Sequence, residues 1–237
     1  GKIMKNKNEY LWQKTNEIFH QCNFDVLLSS FVMWVSVFLC VLFPIFGFAL
    51  AFFVFSFAIV GFKNNVSDCI QGKEIKVENV FYYYKRCISC FCLQICSMVL
   101  ICLWSILLIF PGIICGLNYS FAPYIMADNS SYSATKCLQE SKKLVYGKRL
   151  EIFLVYLMEA FFVLVVDLVF SCLMIILNYF ATVPSWVGIV VPIIISLFVF
   201  FVFIYPYFEM VIAGYYNDAK KEKQKSSKKT AKSSSNV

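Results

Sequence analysis

Three long runs without charge constrain this chain more than any other feature. No Asp, Glu, Lys or Arg occurs from Val26 to Phe62, from Cys87 to Ala127, or from Leu168 to Phe208. A bilayer core about 30 Å thick takes roughly 20 apolar residues of helix per crossing, so each run is long enough for about two. Composition agrees: 15% of the residues are charged, where a soluble domain carries about 25%. The expected fold class is all-α, a polytopic membrane protein.

Breaker residues divide the runs. Pro44 and Gly47 split the first, Pro111-Gly112 the second, and "NYFATVPSW" the last. Proline cannot continue the helical ladder, and glycine can turn sharply after it. The reading is six transmembrane helices in three hairpins, with spans at 26–43, 46–62, 88–110, 113–127, 150–177 and 186–213. Basic residues test this independently. All 21 Lys and Arg fall before residue 15, at 63–86, at 136–149, or after 219. Positively charged loops stay cytoplasmic. Six spans put every one of them on that side, with both termini inside. The first apolar run lacks a small-x-small cleavage site and leads into a second span, so it reads as an anchor and not as a removable leader.

Each hairpin is preceded by an amphipathic stretch with helical periodicity. In the first, Leu11, Trp12, Ile18, Phe19 and Cys22 share a face, opposite Gln13, Lys14, Asn16, Glu17 and His20. In the second, Val77, Val80, Phe81 and Tyr84 line up. In the third, Ala134, Cys137, Leu138, Ser141 and Val145 form a stripe, with Lys136, Glu140 and Lys143 away from it. Such helices either lie in the inner interface or pack on one another beneath the bundle. The membrane domain is expected over 1–216. The Lys/Ser-rich stretch at 217–237 lacks apolar periodicity and reads as a disordered cytoplasmic tail. Its lysines suit anionic lipid; without interleaved aromatics it does not read as a nucleic-acid binder.

Most of the 11 cysteines lie inside apolar runs, where they behave as small hydrophobes. Cys87, Cys90, Cys92 and Cys96 point in different directions around one helix and cannot surround a tetrahedral metal. No metal, cofactor or catalytic set is expected, because the sole histidine, His20, is far in sequence from any candidate nucleophile.

The informative polar residues are those that are costly in a bilayer. Glu159 falls near the midplane of its span at about 1.5 Å per residue, and Asp167 lies two turns further along, about 80° round the helix. Insertion scales charge about 2.5–3.5 kcal/mol for an ionised Asp at a helix centre, so such residues usually face the bundle interior or a wet cavity. They are candidates for a ligand or polar pathway, with Asn118 as a hydrogen-bonding neighbour. The alternative is a carboxyl that acts as interhelical glue. Glu209 falls near the inner border, where water is within reach.

The stretch "FPGIICGLNYSFAPYIMADNSSYSATKCLQESKKLVYGKR" carries Pro111, Gly112, Ile113, Tyr119, Ser120, Tyr124, Asp128, Ala134, Ser141, Lys142, Gly147 and Lys148. The end "YPYFEMVIAGYYND" adds Pro206, Tyr207, Tyr216 and Asp218. This pattern resembles the bacterial membrane family called domain of unknown function 975, over residues 105–150 and 205–218. After Gly147-Lys148 the chain reads "YLMEAFF", where the family shows a Ser-Phe-Ile-Gly-Trp-like stretch. The resemblance implies a multi-span protein of Gram-positive bacteria, and no activity comes with it. The expected function is non-enzymatic: binding of a lipid, peptide or protein partner in the cytoplasmic membrane, in envelope homeostasis or peptide immunity. The rivals are a small transporter or channel component that uses the intramembrane carboxylates, and an intramembrane lipid enzyme.

Overall fold

The computed structural model describes residues 2–41, 47–180 and 185–234, and no strand occurs among them. The helices in chain order are α1 (Lys2–Val41), α2 (Gly47–Ile70), α3 (Asn79–Tyr82), α4 (Cys87–Leu107) and α5 (Ile109–Tyr119). They continue with α6 (Ala122–Asp128), α7 (Ala134–Val145), α8 (Arg149–Phe180), α9 (Ser185–Val199) and α10 (Tyr205–Ser234). A 3₁₀ turn at Tyr83–Arg86 joins α3 to α4, and a π-helical turn at Phe200–Ile204 joins α9 to α10. Five segments are long and apolar enough to cross a membrane: Gly47–Ile70, Asn79–Leu107, Ile109–Asp128, Arg149–Ile176 and Val190–Lys225. Within α1 the Glu9–Phe19 and Phe24–Cys40 stretches meet at 84° and together supply a sixth candidate. The chain is therefore an all-helical, multi-pass membrane protein. The expected turns at Pro44 and across 181–184 lie outside the described residues.

The turn at Pro111-Gly112 requires correction. α5 runs straight through both residues, and the chain reverses at Leu108, whose backbone is extended (φ −160, ψ 140). Proline sits comfortably in the first turn of a helix, where its missing N–H would have found no partner anyway. Gly112 has a different task. A Cβ there would stand 2.9 Å from Ser105 Cα, and Gly116 faces Ile101 on the same side. These two pairings run in opposite directions along the chain, so α4 and α5 lie antiparallel with their backbones nearly touching.

The core is built around α2 and the first half of α10. α2 packs against α1, α3, α4, α6 and α10, and its second half, from Ser56 to Ile70, is almost wholly buried. Gly61 lets the α3 backbone settle on it, since a Cβ would stand 2.7 Å from Asn79 O. Tyr124, Phe121, Met210, Ile212, Tyr215 and Tyr216 are fully buried. By contrast, α4 and α8 expose most of their apolar surface, as helices bathed in lipid do.

The three amphipathic stretches pack on the bundle. In α1, Trp12 and Phe19 meet Tyr207 at ring distances of 6.2 and 5.3 Å. In α7 the buried residues are Ala134, Cys137, Leu138, Ser141 and Val145, the stripe read from the sequence. The second stretch differs. Val80 is buried, but Tyr83 takes the inner position and Tyr84 is exposed. The helix tightens there to three residues per turn, which moves the inward position back by one.

Of the stretch 217–237 read as a disordered tail, residues 217–234 are helical, since α10 continues through Ser234, and 235–237 lie outside the described residues. Asn217 and Ala219 are buried, and Lys220 pairs with Asp128 at 2.7 Å. Lys148 pairs with Glu222 at 3.1 Å, and Lys223 pairs with Glu140. Tertiary ion pairs and the helix propensity of Ala, Lys, Glu and Gln outweigh the missing apolar stripe.

Candidate functional site

An ion pair is buried inside the helical bundle. Lys63, three-quarters of the way along α2, places Nζ 2.9 Å from Glu209 Oε1 on α10, with side chains only 8% and 4% exposed. Tyr124 of α6 donates its hydroxyl to Glu209 Oε2 at 2.6 Å, and Lys63 Nζ lies 5.0 Å from the centre of the Tyr124 ring. Each oxygen of the carboxylate thus has its own donor. A buried pair needs this saturation, because desolvation otherwise outweighs the Coulombic attraction.

The sequence reading placed these two residues elsewhere. Lys63 was expected to open a cytoplasmic loop, and Glu209 to reach water. Both lie immediately beyond the end of a charge-free run. The helices continue past those ends, however, and the core continues with them. One lone charge of each sign at the ends of two such runs was the available signal.

One cavity borders Lys63 and another borders Glu159. The first, of about 230 Å³, lies between α2, α4 and α5–α6. Its polar lining includes Lys63, Gln94, Ser97 and Ser120, and its apolar walls include Phe55 and Ile59. Ser97 and Ser120 turn their hydroxyls back to Gln94 O and Leu117 O. The Gln94 amide has no hydrogen-bond partner among the described residues. The other cavity, of about 470 Å³, lies between α8 and the end of α9 with its π turn. Glu159, Tyr156, Ser196, Phe200 and Phe201 line it. A third, of about 480 Å³, has Gly116 and Tyr156 in its walls, and so borders both of the others.

Glu159 is half-buried and interacts electrostatically with Glu209 and Lys63. Its carboxyl has no hydrogen-bond partner among the described residues. Lys63 is near, but already paired with Glu209. Asn118 does not join this cluster. Its side-chain oxygen accepts from Arg149 Nε at 2.8 Å, and its carbonyl accepts from Ser141 Oγ at 2.7 Å. It braces α5 against α7 and the start of α8. Asp167 also stays out. It was expected to face an interior groove with Glu159, yet it is exposed on α8. α8 packs on its neighbours mainly through its first half, where Ile152 and Val155 are buried, and from Phe161 onward most of its residues are exposed.

A second polar layer closes the end of the molecule where the basic segments meet. Tyr216 donates to Asp128, which also receives Lys220. Glu140 accepts from Lys143 at 2.9 Å and from Lys223. Those two lysines hold its carboxyl below the usual carboxylate range. Burial on the inner face of α7 pushes the Cys137 thiol up to about 11.

No family profile matches the chain, and neither the curated proteins nor the solved structures compared with it give a match. Several residues that carry the resemblance described above are joined in space: Tyr124 reaches Glu209, two residues after Tyr207, and Tyr216 reaches Asp128.

Proposed function

We propose that the protein is a non-enzymatic membrane protein that holds an amphiphilic, lipid-like ligand among its helices. The observation that carries this reading is the cavity beside Lys63. It joins a cation, and an amide without a partner among the described residues, to apolar walls within a membrane-spanning region. An amphiphile fills such a space by setting its head against the polar side and its chain against the other. We further infer six spans in three hairpins, with both termini on the cytoplasmic side of a bacterial cytoplasmic membrane. The meeting of all four basic segments at one end supports this. Lys14 lies with Gln71, Asn217 and Lys221 around a small cleft, and the α7 and α10 lysines share Glu140.

Gly116 offers a direct test. It borders two cavities, and a Cβ there meets nothing nearer than 4.0 Å. Gly116→Leu should fill the space without displacing backbone, and should improve helix propensity. Native mass spectrometry of the wild type in mild detergent should show a stoichiometric amphiphile that the variant lacks. Equal retention by both, or none by the wild type, would sink the reading. The second reading, a small transporter or channel component, draws on the Glu159 carboxyl in its cavity wall and the π-helical turn beside it, a feature frequent at functional sites. Ion flux in proteoliposomes that disappears in Glu159→Gln would favour it.

A further inference from the structure

The cavity between α8 and the π turn differs in chemistry from the one beside Lys63. Tyr156, Phe200 and Phe201 give it three aromatic walls, and Glu159 gives it one carboxylate. The Phe200 and Phe201 rings lie 4.9 Å apart. The Trp34 ring lies tilted against the Phe201 ring at 3.9 Å, and Ser30 Oγ donates to the Phe201 carbonyl at 2.7 Å. The aromatic wall is therefore held in place from the α1 side. Ala160 and Leu197, also in the lining, are exposed on the apolar surface, which gives access from the lipid.

Lys63 is matched one-to-one by Glu209 at 2.9 Å. An ionised Glu159 then leaves the cluster one positive charge short, and no described residue donates a hydrogen bond to its carboxyl. An anionic head group is repelled here. A small hard metal cation needs several oxygen ligands, and no group of three or more His, Cys, Asp or Glu converges among the described residues. A bulky, weakly hydrated organic cation meets both demands: aromatic faces attract it, and the apolar walls take its substituents.

We propose that this cavity binds a lipophilic monocation, a quaternary ammonium, phosphonium or protonated hydrophobic amine, with Glu159 as counter-ion and Tyr156, Phe200 and Phe201 as walls. This inference rests on the reading of the protein as a membrane-embedded binding protein. The test is equilibrium dialysis of the purified full chain in detergent against radiolabelled tetraphenylphosphonium, with neutral triphenylphosphine oxide as competitor. Binding to the wild type should be saturable and resistant to the neutral compound. Glu159→Gln should weaken it at least about tenfold, as expected when a desolvated cation loses its counter-ion. Ala160→Phe, which fills the cavity from its exposed rim and leaves every charge in place, should also abolish binding. Wild-type affinity in either variant, or equal competition by the oxide, overturns the proposal. If phosphonium binding fails while the amphiphile assay with Gly116→Leu succeeds, this cavity's assignment falls and the broader reading stands; phosphonium binding without a retained amphiphile keeps this cavity's assignment and removes only the lipid-like ligand beside Gly116.

Discussion

A lysine and a glutamate taken separately into a bilayer each carry a desolvation penalty, and contact between them removes only part of it. In this protein Lys63 and Glu209 are nearly inaccessible, and the Tyr124 hydroxyl completes the carboxylate's shell. Removing one member strands the other, a loss of about 3–5 kcal/mol, whereas replacing both with apolar residues is often neutral or stabilising. Lys63→Met alone should therefore unfold far more readily than the wild type in a denaturing-detergent titration. The double variant Lys63→Met/Glu209→Leu should recover most of that loss. Two additive losses would show that the charges do not act as a pair. Asn118 is a contrasting case at the same scale. Its position in an apolar leg suggested a pathway residue, but its oxygens are taken up by Arg149 and Ser141, so its polarity serves the joint between helices.

Among the elements, α7 shows how a cytoplasmic helix is tied to the spans. Ser133 caps it by accepting from Lys136 N, and its buried stripe rests on α4, α5, α6 and α10. Its outer face holds α10 through Glu140, clamped by Lys143 and Lys223. The lowered Glu140 pKa carries a sign. A carboxylate stabilised in the folded state contributes stability above its unfolded value, near 4.5, and the contribution is lost as pH falls through the lower folded value. Melting temperatures measured from about pH 3 to 7 should therefore show wild type above Glu140→Gln at neutral pH, with the gap closing in acid. A gap that persists unchanged at the acid end would mean the clamp is not electrostatic. Because the clamp is partly exposed, salt should narrow the gap too.

At the scale of the whole molecule, charge sorting along the sequence carries a topology that labelling can test. Basic residues segregate along the sequence, and ion pairs tie two of those segments together: Lys148 with Glu222, and Lys143 and Lys223 on the shared Glu140. Single cysteines at Lys73 or Lys142, in a background without native cysteines, should resist an impermeant thiol reagent added outside intact cells and react once the membrane is opened. Labelling from outside at either position would reverse the orientation and remove the six-span arrangement.

The sequence by itself determined the membrane class, the all-helical fold and the inward stripe of α7. These follow from quantities that are local along the chain: the length of an apolar run against bilayer thickness, and a period of 3.6 residues against a single packing face. Only the tertiary structure decided the rest. It moved the reversal from Pro111 to Leu108, because proline is compatible with a helix's first turn and Gly112 was needed for contact with Ser105. It ordered the stretch after Asn217 through partners distant in sequence. It joined Lys63 to Glu209, set Glu159 beside them and left Asp167 on the outside. A charge in an apolar chain advertises its cost at its own position, but the partner that offsets the cost lies on another helix, and only packing brings the two together.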